Sequence, residues 1–251
     1  MQNKKLVAAQ LGGAMRIKVH GNPGTTNGRR LGGLRSLETH RKNNTGFKTL
    51  QVIKFPKYSA KLAECLGIFM GDGHLSLYQA SVVTNSETDQ LHALYIKNLL
   101  EELFGLKVSL TKRSDCNAVI ILVSSKKVSD FLFNLGMPMG NKTQGIGMII
   151  QDWIKDSRNF RFSFLRGLID TDGCIYQDKH IIKNKTYSST CIAFTNTSKT
   201  LLDFVEDTWK YMGLNPTRTI RDVRLRRKKE VAKYAEQVGF SNPKHALRIK
   251  L

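Results

Sequence analysis

From Tyr58 onward the apolar and polar positions fall into a pattern that predicts helices and strands in one order, written twice. In the first copy, apolar residues at helical spacing over Ser59–Met70 lead into a strand-like run, Leu75–Thr84, and then a helix over Glu87–Phe104. Gly105 stops that helix. Two further strands follow, Lys107–Lys112 and Ala118–Val123, and a closing helix over Val128–Leu135 runs into Gly136. The second copy has a helix ending at Thr171, strands near Cys174–Tyr176 and Thr190–Thr195, and a helix over Lys199–Met212 stopped by Gly213. Strands Pro216–Arg221 and Val223–Lys228 precede a last helix, Val231–Val238, again running into a glycine, Gly239. An α+β duplication with antiparallel sheets is the expected architecture, with an arm over residues 1–57 and repeats over 58–150 and 151–251.

The first 46 residues carry little hydrophobic periodicity and are rich in Gly, Asn, Thr and Arg, so they read as an extended basic arm. Within it Leu11-Gly12-Gly13 followed by His20 recurs as Leu31-Gly32-Gly33 followed by His40, a weak repeat of 20 residues. No apolar run approaches the roughly 20 residues of a membrane span, and Gln10 and Gly12-Gly13 interrupt any secretory core. Cys65, Cys116, Cys174 and Cys191 lack zinc-site spacing and read as buried free thiols of an intracellular protein, in cytoplasm or an organelle.

Charge changes the picture. The net charge is +20, and residues 1–57 carry 12 Lys and Arg against one acid, residues 58–150 carry 8 against 8, and residues 151–251 carry 20 against 11. Solvated faces ordinarily mix both signs, so two one-signed blocks indicate a polyanionic partner. The basic blocks lack the apolar face of a surface-bound membrane helix, which favours nucleic acid over membrane.

The candidate chemistry lies at positions 100 residues apart, Leu66-Gly67-Ile68-Phe69-Met70-Gly71-Asp72-Gly73 and Arg166-Gly167-Leu168-Ile169-Asp170-Thr171-Asp172-Gly173. Each pairs small residues four apart, Gly67 with Gly71 and Gly167 with Thr171, which lets two helix backbones approach closely. Each then places an aspartate at the helix C-terminus, the pole that disfavours a carboxylate, before a glycine suited to a left-handed helix end. Two such carboxylates brought together need a divalent cation between them, and hard oxygen ligands suit Mg2+.

These segments resemble the two LAGLIDADG motifs of single-chain homing endonucleases, a resemblance covering about residues 58–251. The second motif fits well apart from Arg166; the first is looser, with Met70 where the pattern has its first aspartate. The resemblance implies a monomer of two pseudo-twofold αββαββα units whose four-stranded sheets form a saddle over double-stranded DNA. It also implies metal held at Asp72, Asp172, Gly71 and Thr171, one acid cutting each strand. The water-ordering amides of the family align with Asn85 and Asn196, and its lysines with Lys126 and Lys229.

For DNA contact, period-two spacing over Arg218–Lys229 puts Arg224, Arg226 and Lys228 on one sheet face, with Arg218 and Arg221 nearby. Lys112 and Arg113 form a sparser counterpart in the first copy, and Arg29 and Arg30 stand in the arm. The near-neutral first copy implies unequal halves. A non-cleaving relative, an RNA-splicing maturase or a transcription regulator, is the alternative; it is expected to have lost one or both aspartates, and both are present. An endonuclease inside a self-splicing protein would begin with Cys or Ser and end with His-Asn, unlike Met1-Gln2 and Ile249-Lys250-Leu251. Nicking of one strand is the expectation if the looser first motif is weak.

Overall fold

The structure, a computed structural model, describes residues 11–19, 22, 24–43, 45, 52–142, 147–182 and 185–249. The chain divides into two compact units, Met1–Leu50 and Gln51–Leu251.

Among the described residues, the first unit is largely helical rather than extended. Residues 11–19 are helical, and so is α1 (Thr26–Lys42). Local chemistry starts α1: the Thr25 hydroxyl accepts the Gly28 N–H at 3.0 Å, and the Thr25 hydroxyl and N–H both donate to the Asn22 carbonyl. The cap at Thr25 and the basic last turn, His40, Arg41 and Lys42, thus support an element that carries no apolar stripe. Leu11, Met15, Leu31 and Leu34 are all exposed, and Gly28 is the buried residue of α1.

The second unit begins before the anticipated boundary at residue 57. Ile53 is buried, and the Lys54 N–H donates to the Phe104 carbonyl. Its first repeat runs α2 (Ala60–Asp72), β1 (Gly73–Leu75), β2 (Ala80–Asn85), α3 (Gln90–Phe104), β3 (Ser109–Lys112), β4 (Ala118–Val123) and α4 (Lys126–Asn134). The second follows as α5 (Asp152–Asp156), α6 (Arg158–Asp172), β5 (Gly173–Ile182), β6 (Lys185–Thr195), α7 (Lys199–Tyr211), β7 (Thr217–Arg218), β8 (Asp222–Leu225), α8 (Lys228–Gln237) and α9 (Pro243–Arg248). Both sheets are antiparallel with one strand order, β1-β2-β4-β3 and β5-β6-β8-β7. The duplication read from the sequence is present, and the fold is α+β. The expected strand Leu75–Thr84 is a hairpin, turned where the Ser76 N–H donates to the Gln79 carbonyl. Gly105 and Gly213, at matched positions, take φ of 65° and 69°, the left-handed geometry that glycine adopts without penalty.

The seam between repeats is the crossing of α2 and α6, nearly wholly buried. Glycine makes it possible: a Cβ on Gly67 would lie 2.2 Å from the Phe164 carbonyl oxygen, and one on Gly167 2.4 Å from that of Glu64. Ahead of the two helices, Tyr58 and Trp153 stack at 4.3 Å. Arg166, the odd residue of the second motif, pairs with the buried carboxylate of Glu64 at 2.5 Å, and Tyr95 and Ser241 donate to the same acid.

Candidate metal and nucleic-acid site

Asp72 and Asp172 are the last residues of α2 and α6, so the crossing brings both carboxylates to one end of the seam. The glycines after them are not left-handed. Gly73 and Gly173 have φ of −79° and −86°, and extended backbone enters β1 and β5 directly. Glycine is needed there for space, since a Cβ on Gly173 would lie 2.2 Å from the Ile169 carbonyl oxygen.

The pair is electrostatically strained. Burial first, and then the like charge of Asp172, pushes the Asp72 carboxyl up to about 6; Lys142 acts in the opposite direction. Burial also raises Asp172, against Lys142 and a hydrogen bond from the Asn196 amide to its Oδ2 at 2.7 Å. Lys142 comes from the segment between the repeats. Its ammonium donates to the carbonyls of Met70, at 3.2 Å, and Gly71. It thereby supplies positive charge at the negative pole of α2 and lies within electrostatic reach of both aspartates. A cleft of about 410 Å³ opens here, lined by Gly71, Lys142, Asp172, Asn196 and Thr200 among others.

Sequence reasoning missed Lys142 and nominated other lysines. Lys126 is paired with Asp130 at 2.9 Å, one turn along α4, and Lys229 stands exposed in α8; neither is among the groups acting on Asp72 or Asp172. The usable signal was repeat position: Lys142 follows Asp72 by 70 residues, and Lys244 follows Asp172 by 72. Lys244 pairs with Asp89 at 2.7 Å and lowers the Asp72 carboxyl by its charge, as Lys142 does. Asn196 lies where the alignment of strand ends put it. Asn85 uses its carbonyl oxygen on the Glu87 and Thr88 N–H groups, and Asn196 does the same with Ser198 N–H. The Thr171 hydroxyl turns back on its own helix, donating to the Gly167 and Leu168 carbonyls. Asp170 is 3% exposed and accepts the Ser241 N–H at 2.7 Å, so it locks the fold rather than facing the cleft.

The basic ribbon differs from its expected form. β8 ends at Leu225, Arg226 lies beyond it, and Lys228 opens α8, so Arg224 is the one strand residue of the three. A glutamate three residues on, Glu230, pairs with Arg227 and closes the helix's first turn there, which ends the extended run. Arg224 and its same-face neighbour Asp222 pair at 2.7 Å. Arg218 stands opposite buried Val223, on the helix side of the sheet, and bonds to Asp203 and Glu206 of α7. Arg221 is exposed between β7 and β8. In the first repeat, Lys112 stands opposite buried Val119, also on the helix side, and Arg113 is paired with Asp115. The open face of that sheet, including His74, Ser81, Val83, Thr111, Ile120 and Leu122, bears no Lys, Arg, Asp or Glu. Arg29 and Arg30 are exposed on α1.

The cysteines are free, as expected, but only Cys65 and Cys191 are buried; Cys116 and Cys174 are exposed. Among the described residues no helix is long and apolar enough to cross a membrane, and no three His, Cys, Asp or Glu side chains cluster as a metal site.

Helix-end acids on a seam between duplicated α+β repeats define a known architecture. Residues 159–242, which hold the second of the two helix-end motifs, match the family of LAGLIDADG-like domains. The meganuclease I-SmaMI bound to uncleavable DNA superposes with a TM-score of 0.52 at 12% identity, over 77% of this chain and 87% of that one. The homing endonuclease I-DmoI in complex with DNA and Mn gives 0.49 at 17% identity, over 72% and 96%. The tRNA-splicing ligase RtcB of Methanopyrus kandleri is 28% identical over 171 residues, 60% of this chain. The match spans 16% of that ligase's length.

Proposed function

We propose that this protein is a site-specific double-strand DNA endonuclease, acting as a monomer with divalent cations held by Asp72 and Asp172. The observation that carries the reading is the meeting of two half-buried helix-end carboxylates across the glycine seam, where desolvation and the like charge of Asp172 raise Asp72 to about 6. Their donor set fits Mg2+: two hard carboxylates and the backbone carbonyls of a helix end, with an open cleft beside them for water and phosphate. Thr171 would contribute through its carbonyl, since its hydroxyl is engaged in its helix, and Gly71 through its carbonyl once the Lys142 ammonium that donates to it is displaced.

When bound, a divalent ion supplies Lewis acidity to the attacking water and to the departing 3′ oxygen. The chain's own residues do the rest. Asn196 holds the Asp172 carboxylate in one orientation, and Lys142 offsets charge at the acid pair. Arg224, Arg221 and Arg226 of the second repeat, with Arg29 and Arg30 of the first unit, are the proposed DNA contacts. Arg218 and Lys112 lie on helix-side faces and serve packing and the sheet edge instead.

A non-cleaving reading, as a maturase or transcription regulator, has one observation in its favour: Lys142 already places a positive charge near both acids. Cleavage of a plasmid library in Mg2+ and in EDTA separates the two. Magnesium-dependent linear product at a discrete site, reduced about 100-fold or more in Asp72→Asn and in Asp172→Asn, is expected for the endonuclease. Tight binding without any cutting would replace it with the non-cleaving reading.

A further inference from the structure

The two acidic centres are built differently, although they end matched helices. In both repeats an asparagine at the end of the second strand folds its side-chain oxygen back onto the following loop. Two residues separate Asn196 from α7, and its free N–H group then reaches Asp172 at 2.7 Å. Four residues separate Asn85 from α3. In that longer loop Asn85 is exposed, and among the described residues no hydrogen bond joins its amide to Asp72. The extra residues end in Asp89, whose carboxylate is bonded to Asn242 at 2.8 Å and Lys244 at 2.7 Å and acts on Asp72 through its charge rather than by a hydrogen bond. Asp72 therefore has no side chain fixing its orientation among the described residues, whereas Asp172 has one.

We infer that the phosphodiester bond served by Asp172 is cut first, and that Asn196 is the positioning residue that sets this order. The inference rests on the endonuclease reading above. At either centre the chemistry is the same: a water oxygen bonds to phosphorus and the bond from phosphorus to the 3′ oxygen breaks. The 3′ oxygen leaves with the electron pair and takes up a proton, and the proton lost by the attacking water goes to solvent. What differs is preparation. An acid already held by a charge-assisted hydrogen bond presents its oxygens without reorganising, while Asp72 must be ordered by the complex itself.

A supercoiled plasmid carrying a site selected from the library tests the order, with the nicked intermediate mapped to its strand. The wild type is expected to pass through a circle nicked on one strand only. Asp72→Asn is expected to stall as that nicked circle, and Asp172→Asn to nick more slowly and on the opposite strand. Asn196→Ala should slow the first nick about 10-fold and scatter nicks over both strands, with Asn196→Gln restoring part of the bias.

A second readout needs no cleavage. In metal-free protein the Asn196 side-chain amide protons should resonate downfield of those of Asn85 by NMR, and lose that shift in Asp172→Asn. Equal nicking of both strands by the wild type, or matching amide shifts, would overturn the strand order alone. A wild type that never cuts would overturn the endonuclease reading and the order with it.

Discussion

Asp170 is a carboxyl placed where a carboxylate is costly. Burial pushes it up to about 8, despite the Ser241 N–H donated to one oxygen, and its other oxygen has no partner among the described residues. Folding therefore favours its protonated form. Between the ordinary carboxylate range near 4 and about 8 the native state binds the extra proton, so this group's contribution to stability is lost as pH rises through that window. The histidines act at the other end. Burial lowers His92 and His245 to about 4, so the unfolded chain binds more protons below about 6.5, and stability falls on acidification. Thermal melting should thus be highest near pH 6–7, on the pKa logic above. Asp170→Asn should flatten the decline above that maximum, and melting curves across pH 5–9 check it, an unchanged slope counting against the assignment. The two acids were legible in the sequence because the motif occurs twice. Lys142 was not, because a lone lysine in a connecting segment has no local pattern, and only its place relative to Asp72 marks it.

At the scale of elements, α2, α3, α4, α6, α7 and α8 and the stops at Gly105, Gly136, Gly213 and Gly239 were readable, since apolar period and left-handed glycines are local signals, whereas the short helices α5 and α9 were not anticipated. The arm helix was not readable, because its cap acts without an apolar stripe and Gly28, Gly32 and Gly33 read against a helix. Strand lengths were also misjudged: β8 stops at Leu225, while β5 and β6 run on to Ile182 and from Lys185 as a long hairpin. Pairing with a partner strand sets such ends, and that information is distant in sequence. The glycines divide sharply by what they face. Gly67→Ala should destabilise by about 3 kcal/mol or more, because the new methyl meets helix backbone, which cannot yield as a side chain can. Gly33→Ala, with open space around it in α1, should instead raise arm helicity by up to about 1 kcal/mol. Melting temperature and helical circular dichroism of the two variants give the comparison, and equal behaviour would contradict the seam geometry.

Across the whole chain, the excess of positive charge is confined to the arm and the second repeat, and the first repeat is balanced. Within its strands the open face of the first sheet bears no Lys, Arg, Asp or Glu, so that face offers phosphate no fixed positive charge. On the proposed function, DNA affinity should fall steeply with salt. Removing residues 1–50, with ten of the 40 Lys and Arg, should make that slope shallower by roughly one unit for each phosphate the arm neutralises. Binding isotherms at several salt concentrations test this, and identical slopes would show that the arm does not touch phosphate.

The clasp formed by residues 241–244 has a consequence for how such a duplicated protein can change over generations. Ser241 bonds to Glu64, while Asn242 and Lys244 bond to Asp89, so late residues satisfy buried acids of the early repeat. The halves look interchangeable in outline, yet neither is modular. Swapping in a first repeat from another lineage leaves the clasp with foreign partners, and a lone first repeat loses Arg166 and Ser241, which bind Glu64, together with the helix that covers the buried face of α2. Recombination at the repeat boundary would succeed only where the donor carries matching residues at positions 64 and 89, so the two halves are bound to evolve as one inheritance.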